Sequence, residues 1–169
     1  GTRGGVDPVE EITYSRKLPV RWEADVAVVG GGIAGTAAAC AAAEGGATVV
    51  LVERFAVAGG TMTVGGVHNF CGETAGQGRA FDEILAGLEA FGAIRPYEPY
   101  RHFETRRPFD HEILAVVLQD LLERRGVHLL LHTRFVDALS DDGRIDSLVL
   151  RGQSGPEALR ARQYVDCTG

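Results

Sequence analysis

The sequence predicts an α/β domain on a parallel sheet that begins with a strand-helix-strand unit. Three observations predict it. Residues 25–30 (DVAVVG) and 48–53 (TVVLVE) are short β-branched apolar runs, the kind that a parallel sheet buries on both faces. Between them, residues 33–44 are rich in Ala and free of Pro, which favours helix. The three together fit in about 30 residues, the size of one crossover unit.

The remaining elements follow in order. Residues 1–24 are polar, with Gly4, Gly5, Pro8 and Pro19, and predict an arm with a short extended piece at 18–21. The domain itself is expected over 25–169. Gly45 and Gly46 close the first helix. Residues 54–78 hold Gly59, Gly60, Gly65, Gly66, Gly72, Gly76 and Gly78 and read as a long loop, a length usually tied to function or disorder. Phe81, Ile84, Leu85, Leu88 and Phe91 recur at helical spacing, so 79–91 predicts a helix. Residues 94–108 carry Pro96, Pro99 and Pro108 and read as extended. Asp110 is a cap for a helix to Arg125 with Ile113, Leu114, Val117, Leu118, Leu121 and Leu122 on its apolar face. Gly126 ends that helix, and 127–131 is a third apolar strand. Residues 135–139 and 145–150 flank Asp141-Asp142-Gly143, a hairpin signal. A short strand is expected at 159–161 and a last one at 164–167. The chain stops at Gly169 directly after that core strand, so a fragment of a larger protein is expected.

Composition narrows the function. A net charge of -6 argues against a nucleic-acid-binding domain. The three cysteines, Cys40, Cys71 and Cys167, are far apart, which excludes a Cys-x-x-Cys zinc or dithiol motif. That sparse count points to a reducing compartment, so a cytoplasmic protein is expected. No apolar run approaches the ~20 residues of a membrane-spanning helix, so no membrane partner is expected. His102, His111, His128 and His132 have no metal-ligand spacing, so no metal is expected.

Gly30-Gly31-Gly32-Ile33-Ala34-Gly35 contains Gly-x-Gly-x-x-Gly. Alone the string is weak; here it follows a strand, opens a helix and precedes an acid, Glu53, at the end of the next strand. Gly30 permits the tight turn, Gly32 lets the backbone approach a pyrophosphate, and Gly35 lets helix and strand pack closely. The helix start, with Ile33 and Ala34, offers free N–H groups and the positive dipole end. Glu53 can accept hydrogen bonds from ribose hydroxyls and would repel a 2′-phosphate. These residues predict a dinucleotide site.

Over nearly its whole length the chain resembles the bacterial FAD-dependent oxidoreductases of the glutathione-reductase-like Rossmann class. The resemblance rests on Arg16-Lys17-Leu18-Pro19-Val20 before the first strand, on Glu53-Arg54 followed by Gly59-Gly60, and on residues 164–169, similar to a strand ending in Ala-Thr-Gly with Cys167 in the Ala place. It implies a Rossmann-like FAD-binding domain whose third strand, 127–131, leads into a β-meander crossover. It also implies that Arg54, Gly59, Gly60 and Thr61 continue the cofactor path toward the flavin. A backbone group at Phe135 or Val136 would meet the adenine, and Thr168 and Gly169 would turn back to the cofactor. FAD is the expected cofactor, because NAD domains lack the glycine doublet and the meander.

Disulfide reductases of this class place two cysteines after the doublet. Met62 and Val67 stand there, which excludes a flavin–disulfide relay. His68, Asn69 and Cys71 either touch flavin or substrate, one of them even covalently, or belong to a loop that packs over the cofactor. Cys40 is expected in the core, and Arg106, Arg107, Arg124 and Arg125 in solvent. The expected function is the FAD-binding portion of an oxidoreductase that accepts a hydride from a small organic substrate. The alternative is an NAD-binding or cofactor-holding module without its own catalysis. No catalytic residue is identified. Loop 59–78, short of apolar residues, is expected to be poorly ordered or covered by other segments, and the 169-residue chain alone to turn over no substrate.

Overall fold

The computed structural model describes residues 10–72, 76–100 and 103–169. Gly4, Gly5 and Pro8 of the arm, His102, and positions 73–75 of the Gly-rich loop therefore lie outside the described residues. In chain order the elements are β1 (Val20–Val29), α1 (Ile33–Glu44), β2 (Val49–Val52), β3 (Asn69–Cys71), α2 (Arg79–Ala90), β4 (Glu98–Tyr100), β5 (Phe103–Pro108), α3 (His111–Arg124), β6 (His128–Leu130), β7 (Arg134–Asp141), β8 (Arg144–Gly152) and β9 (Gly155–Asp166). A single 3-10 turn, Gly60–Met62, lies after β2.

The main sheet has the order β6-β2-β1-β9-β8-β7. Its first four strands run parallel, and β8 and β7 are antiparallel. A small antiparallel sheet, β3-β5-β4, forms beside it. Each face of the main sheet has its own core. Val28 and Leu51 face Ala39, Cys40, Ile84, Leu88 and the apolar stripe of α3. Ala27, Val29, Val50 and Val52 face Leu148, Leu150 and Leu159 of the hairpin and β9. Burial on both faces is why residues 26–29 of β1 and all of β2 are apolar without alternation. Leu51, Leu114, Leu118 and Leu150 are wholly buried, each contributing about 1.5–3 kcal/mol over an exposed position.

Local signals hold at the helix ends. Asp110 caps α3 by accepting from the N–H groups of Glu112 (2.9 Å) and Ile113 (3.2 Å). Asp142 (φ 46°) and Gly143 (φ 75°) form the tight turn of the β7–β8 hairpin, two successive positive φ values as a two-residue hairpin loop requires.

Three expectations need correction. The first strand begins at Val20, not Asp25, because Val20, Trp22 and Ala24 alternate with charged residues and pair with β9. Trp22 stacks on His128 with ring centroids 4.6 Å apart and donates to Glu157 (3.2 Å). The expected strands at 159–161 and 164–167 are one strand, β9; its polar Arg160 and Arg162 face outward and pair with Asp146 and Asp25. Arg125 is not solvated: its guanidinium joins Glu83 (2.6 Å) and Glu44, tying α1, α2 and α3 together. Arg107 lies mostly buried between Glu89 (2.6 Å) and the Tyr97 ring, and Arg106 pairs with Glu98. Loop residues 59–67 are knitted by their own backbone: Met62 N–H to Gly59, Gly65 N–H to Gly60, Val67 N–H to Thr61 and Gly66 N–H to Thr63, all at 3.0–3.1 Å. In this stretch backbone hydrogen bonds satisfy the polar groups where few apolar side chains are present.

Asp25 gives a pH-dependent clamp at the start of the sheet. Its Oδ2 accepts from the N–H (2.9 Å) and hydroxyl (2.7 Å) of Thr48, at the entry to β2. The Thr48 amide, then its hydroxyl, and to a lesser degree Arg162 hold this carboxyl below the ordinary aspartate range. A lowered folded-state pKa stabilises the fold above the ordinary aspartate value, and the gain is lost as pH falls through the lowered one. Asp25→Asn should therefore flatten the acid limb of the unfolding-midpoint profile below about pH 4. A parallel profile for wild type and variant would remove Asp25 from that limb.

Candidate dinucleotide site

The glycine turn sits where ligands bind in open α/β sheets, outside the carboxyl ends of the parallel strands. Gly30 leaves β1 with φ 99°, and a Cβ there would lie 2.3 Å from the Cys167 carbonyl oxygen. A Cβ on Gly35 would lie 1.8 Å from the Gly30 carbonyl oxygen. These two glycines serve packing. Gly32 differs: a Cβ there meets no protein atom within 4 Å, so this face of the backbone looks into open space. Gly32 is also the N-cap of α1, with no side-chain cap and no acid in the first turn. The N–H groups of the first turn have no intrahelical acceptor. Ile33 packs half-buried on the core and Ala34 is exposed at this end. An uncapped helix start beside open space is a donor set for a phosphate-bearing cofactor, so these residues fit a dinucleotide.

Glu53 is 4% exposed and turned into the turn itself. Its Oε2 accepts from Gly31 N–H (2.7 Å) and its Oε1 from Phe55 N–H (2.8 Å). A carboxylate has about four acceptor positions, so two remain. Arg54 lies over the Phe55 ring, 4.6 Å from its centroid, and is exposed.

The glycine doublet joins the same turn. Gly59 N–H donates to the Gly31 carbonyl (2.7 Å), and residues 32 and 59 form an isolated parallel bridge. Gly59 (φ 110°) and Gly60 (φ 55°) both need the left-handed region. A Cβ on Gly60 would lie 3.3 Å from Gly32 Cα. Thr61 is exposed at the start of the 3-10 turn.

On the β6 side, Glu53 N–H donates to Leu130, Thr133 N–H to Glu53 and His132 N–H to Phe55, each at 2.9 Å. These bonds carry the chain from β6 past Glu53 into β7, where Phe135 and Val136 are exposed. The pairing of β7 with β8 skips from Phe135 to Asp137, so a bulge leaves Val136 without a partner across the hairpin. At the far end, Cys167 N–H bonds to Val29 (2.8 Å), bringing Thr168 against Gly30. Asp166 Oδ1 accepts from both the N–H (2.9 Å) and the hydroxyl (2.8 Å) of Thr168, and those bonds hold the Asp166 carboxyl below its ordinary range. Burial, then Asp166, pushes the Cys167 thiol up, so it stays protonated at neutral pH.

The structure thus gathers Gly30, Gly32, Ile33, Ala34, Gly35, Glu53, Gly59, Gly60 and Thr168 at one end of the sheet. His68 is exposed on the loop beyond, and Asn69 donates to the exposed Cys71 Sγ (3.0 Å). Cys40 is buried, as expected, and burial raises its thiol pKa. Among the described residues no group of His, Cys, Asp or Glu could hold a metal, and no helix is long and apolar enough to cross a membrane. Sequence reasoning passed over Thr63 and Asp166. Asp166 stands two before Thr168, a spacing at which an aspartate commonly bonds its own backbone; Thr63 carried no such signal.

The profile of the family described as FAD dependent oxidoreductase matches residues 25–169. The chain belongs to that family. FAD is the family's cofactor, which agrees with the doublet and the meander. A relative called Digeranylgeranylglycerophospholipid reductase 1, from Methanopyrus kandleri, is 33% identical over 154 residues, covering 87% of this chain and 40% of its own. A second from the same organism, Digeranylgeranylglycerophospholipid reductase 2, is 34% identical over 157 residues, covering 87% and 38%. The chain therefore spans about two fifths of the length of these curated relatives. In fold it is similar to a flavoprotein/dehydrogenase from Cytophaga hutchinsonii (TM-score 0.66, 18% identity, 87% of this chain and 39% of that one). It is also similar to a geranylgeranyl bacteriochlorophyll reductase-like protein from Thermoplasma acidophilum (TM-score 0.62, 19% identity, 88% and 40%).

Proposed function

We propose that this FAD-binding chain serves a flavoprotein of the glutathione-reductase-like class that takes a hydride from a small organic substrate and passes the electrons to another acceptor. The observation that carries it is the pair of glycine turns, 30–32 and 59–60, held together by backbone and opening on the free face of Gly32. When bound, FAD supplies the redox chemistry, and the chain binds and orients it. The N–H groups at Gly32, Ile33, Ala34 and Gly35 would hold the pyrophosphate. Glu53 would spend its two remaining acceptor positions on the adenosine ribose, with Arg54 beside it. The backbone of Phe135 and the bulged Val136 would border the adenine. Gly59, Gly60 and Thr61 would lead toward the flavin, and Thr168 and Gly169 would close the path. The free cysteines support a reducing, cytoplasmic location.

Purification of the chain with a yellow chromophore released as FAD on denaturation would bear this out. A chain that binds NAD and takes up no FAD would overturn it. The Methanopyrus relatives favour a second direction of electron flow, because they are named reductases. In that direction reduced flavin gives a hydride to an unsaturated substrate. Anaerobic mixing with the whole flavoprotein decides: substrate that bleaches the oxidised flavin supports the first direction, and substrate that restores colour to the reduced flavin supports the second.

Glu53→Ala removes the acceptor for Gly31 and Phe55 as well as for ribose. Lost charge-assisted bonds of this kind cost about 1.5–3 kcal/mol each, so FAD affinity should fall by at least tenfold in a titration, with a lower unfolding midpoint. Unchanged affinity would remove Glu53 from the site.

A further inference from the structure

The two glycine turns meet only through backbone, and a backbone contact needs something to hold its spacing. Thr63 is placed for that. It is 4% exposed, whereas the residues that follow it, 64–68, are exposed. Its hydroxyl donates to the Ala58 carbonyl at 2.8 Å, spanning the doublet from its far side to the residue before it. Its methyl fills the place that a side chain on Gly59 would need: a Cβ there would lie 2.3 Å from Thr63 Cγ2. Gly59 in turn donates to Gly31 (2.7 Å), and Gly60 lies against Gly32.

The geometry points to Thr63 as a positioning residue that fixes the gap between the two glycine turns, and through it the hold on the cofactor's phosphates. Thr63 meets the cradle from behind, at Gly59 and at the Gly60 carbonyl, which its hydroxyl also reaches at 3.4 Å. Both halves of its side chain act on Gly59, the hydroxyl by locking the turn at Ala58 and the methyl by backing the glycine. The hydroxyl is the anchor, because without it the buried Ala58 carbonyl loses this partner and the turn is free to open. This role for FAD retention rests on the function proposed above; the effect on Gly59 does not.

Two variants separate the halves. Thr63→Val keeps the shape and the methyl and loses the hydroxyl; Thr63→Ser keeps the hydroxyl. Amide hydrogen exchange in the 169-residue chain reads Gly59 directly, and titration with FAD reads the cradle. In Thr63→Val, Gly59 N–H exchange should speed up by about tenfold or more while β2 amides, 49–52, stay unchanged, and FAD affinity should fall by about tenfold. Thr63→Ser should restore both to within about threefold of wild type. Unchanged Gly59 exchange in Thr63→Val, or a Thr63→Ser chain as loose as Thr63→Val, overturns the proposal. Faster Gly59 exchange in a chain that takes up no FAD even as wild type supports the positioning role and sinks the FAD function instead.

Discussion

Gly32→Val should abolish FAD binding and leave the fold intact. Affinity is expected to fall by at least about a hundredfold, roughly 2.7 kcal/mol, while stability falls by no more than the ~1 kcal/mol of a lost helix N-cap. Two facts separate these effects. The backbone at Gly32 is extended, φ -63° and ψ -178°, a conformation any residue adopts. A Cβ there meets no protein atom within 4 Å, so packing gives no reason for glycine. The space the valine would fill is the space that phosphates need to reach the uncapped N–H groups of α1. Full flavin content in the purified variant would show that the cofactor does not lie over this turn.

Much of this was legible because each signal was local. The α1 bounds, the Asp110 cap and the hairpin turn follow from propensity, capping and φ preference within a few residues. The glycine turn was legible because strand, glycines, helix and acid fell in the required order. Where a signal depended on a distant partner, it was missed. Val20 to Ala24 alternates faintly, and only pairing with β9 makes it strand. Arg162 and Gln163 fell in the gap between two expected strands, because nothing local says that Asp25 awaits Arg162 on the neighbouring strand. Arg125 looked like a solvated surface cation until Glu44 and Glu83 arrived from two other helices. Glu53 was read as a ligand-facing acid; its bonds to Gly31 and Phe55 show that it also builds the turn. Thr63 shows the same limit, since a buried hydroxyl in a glycine-rich stretch looks like any polar loop residue.

Gly35→Val tests the opposite kind of glycine. It should damage the fold first, and binding only as a consequence. A Cβ at position 35 would stand 1.8 Å from the Gly30 carbonyl oxygen and 3.3 Å from Cys167 Cβ. The nearer obstacle is backbone, so no rotamer change relieves it, and α1 must move away from β1. Overpacking usually costs 1–3 kcal/mol, and a backbone obstacle puts this variant at the top of that range, about 3 kcal/mol or more. Denaturant unfolding should therefore show a clearly lowered midpoint in the absence of any cofactor. The shift also moves the N–H groups of the first turn relative to Gly59 and Gly60, so FAD affinity should drop with stability, whereas in Gly32→Val the two quantities part. A Gly35→Val chain with a wild-type midpoint would mean that helix and strand do not need this close approach, and the division of the motif into packing glycines and a ligand-facing glycine would fail with it.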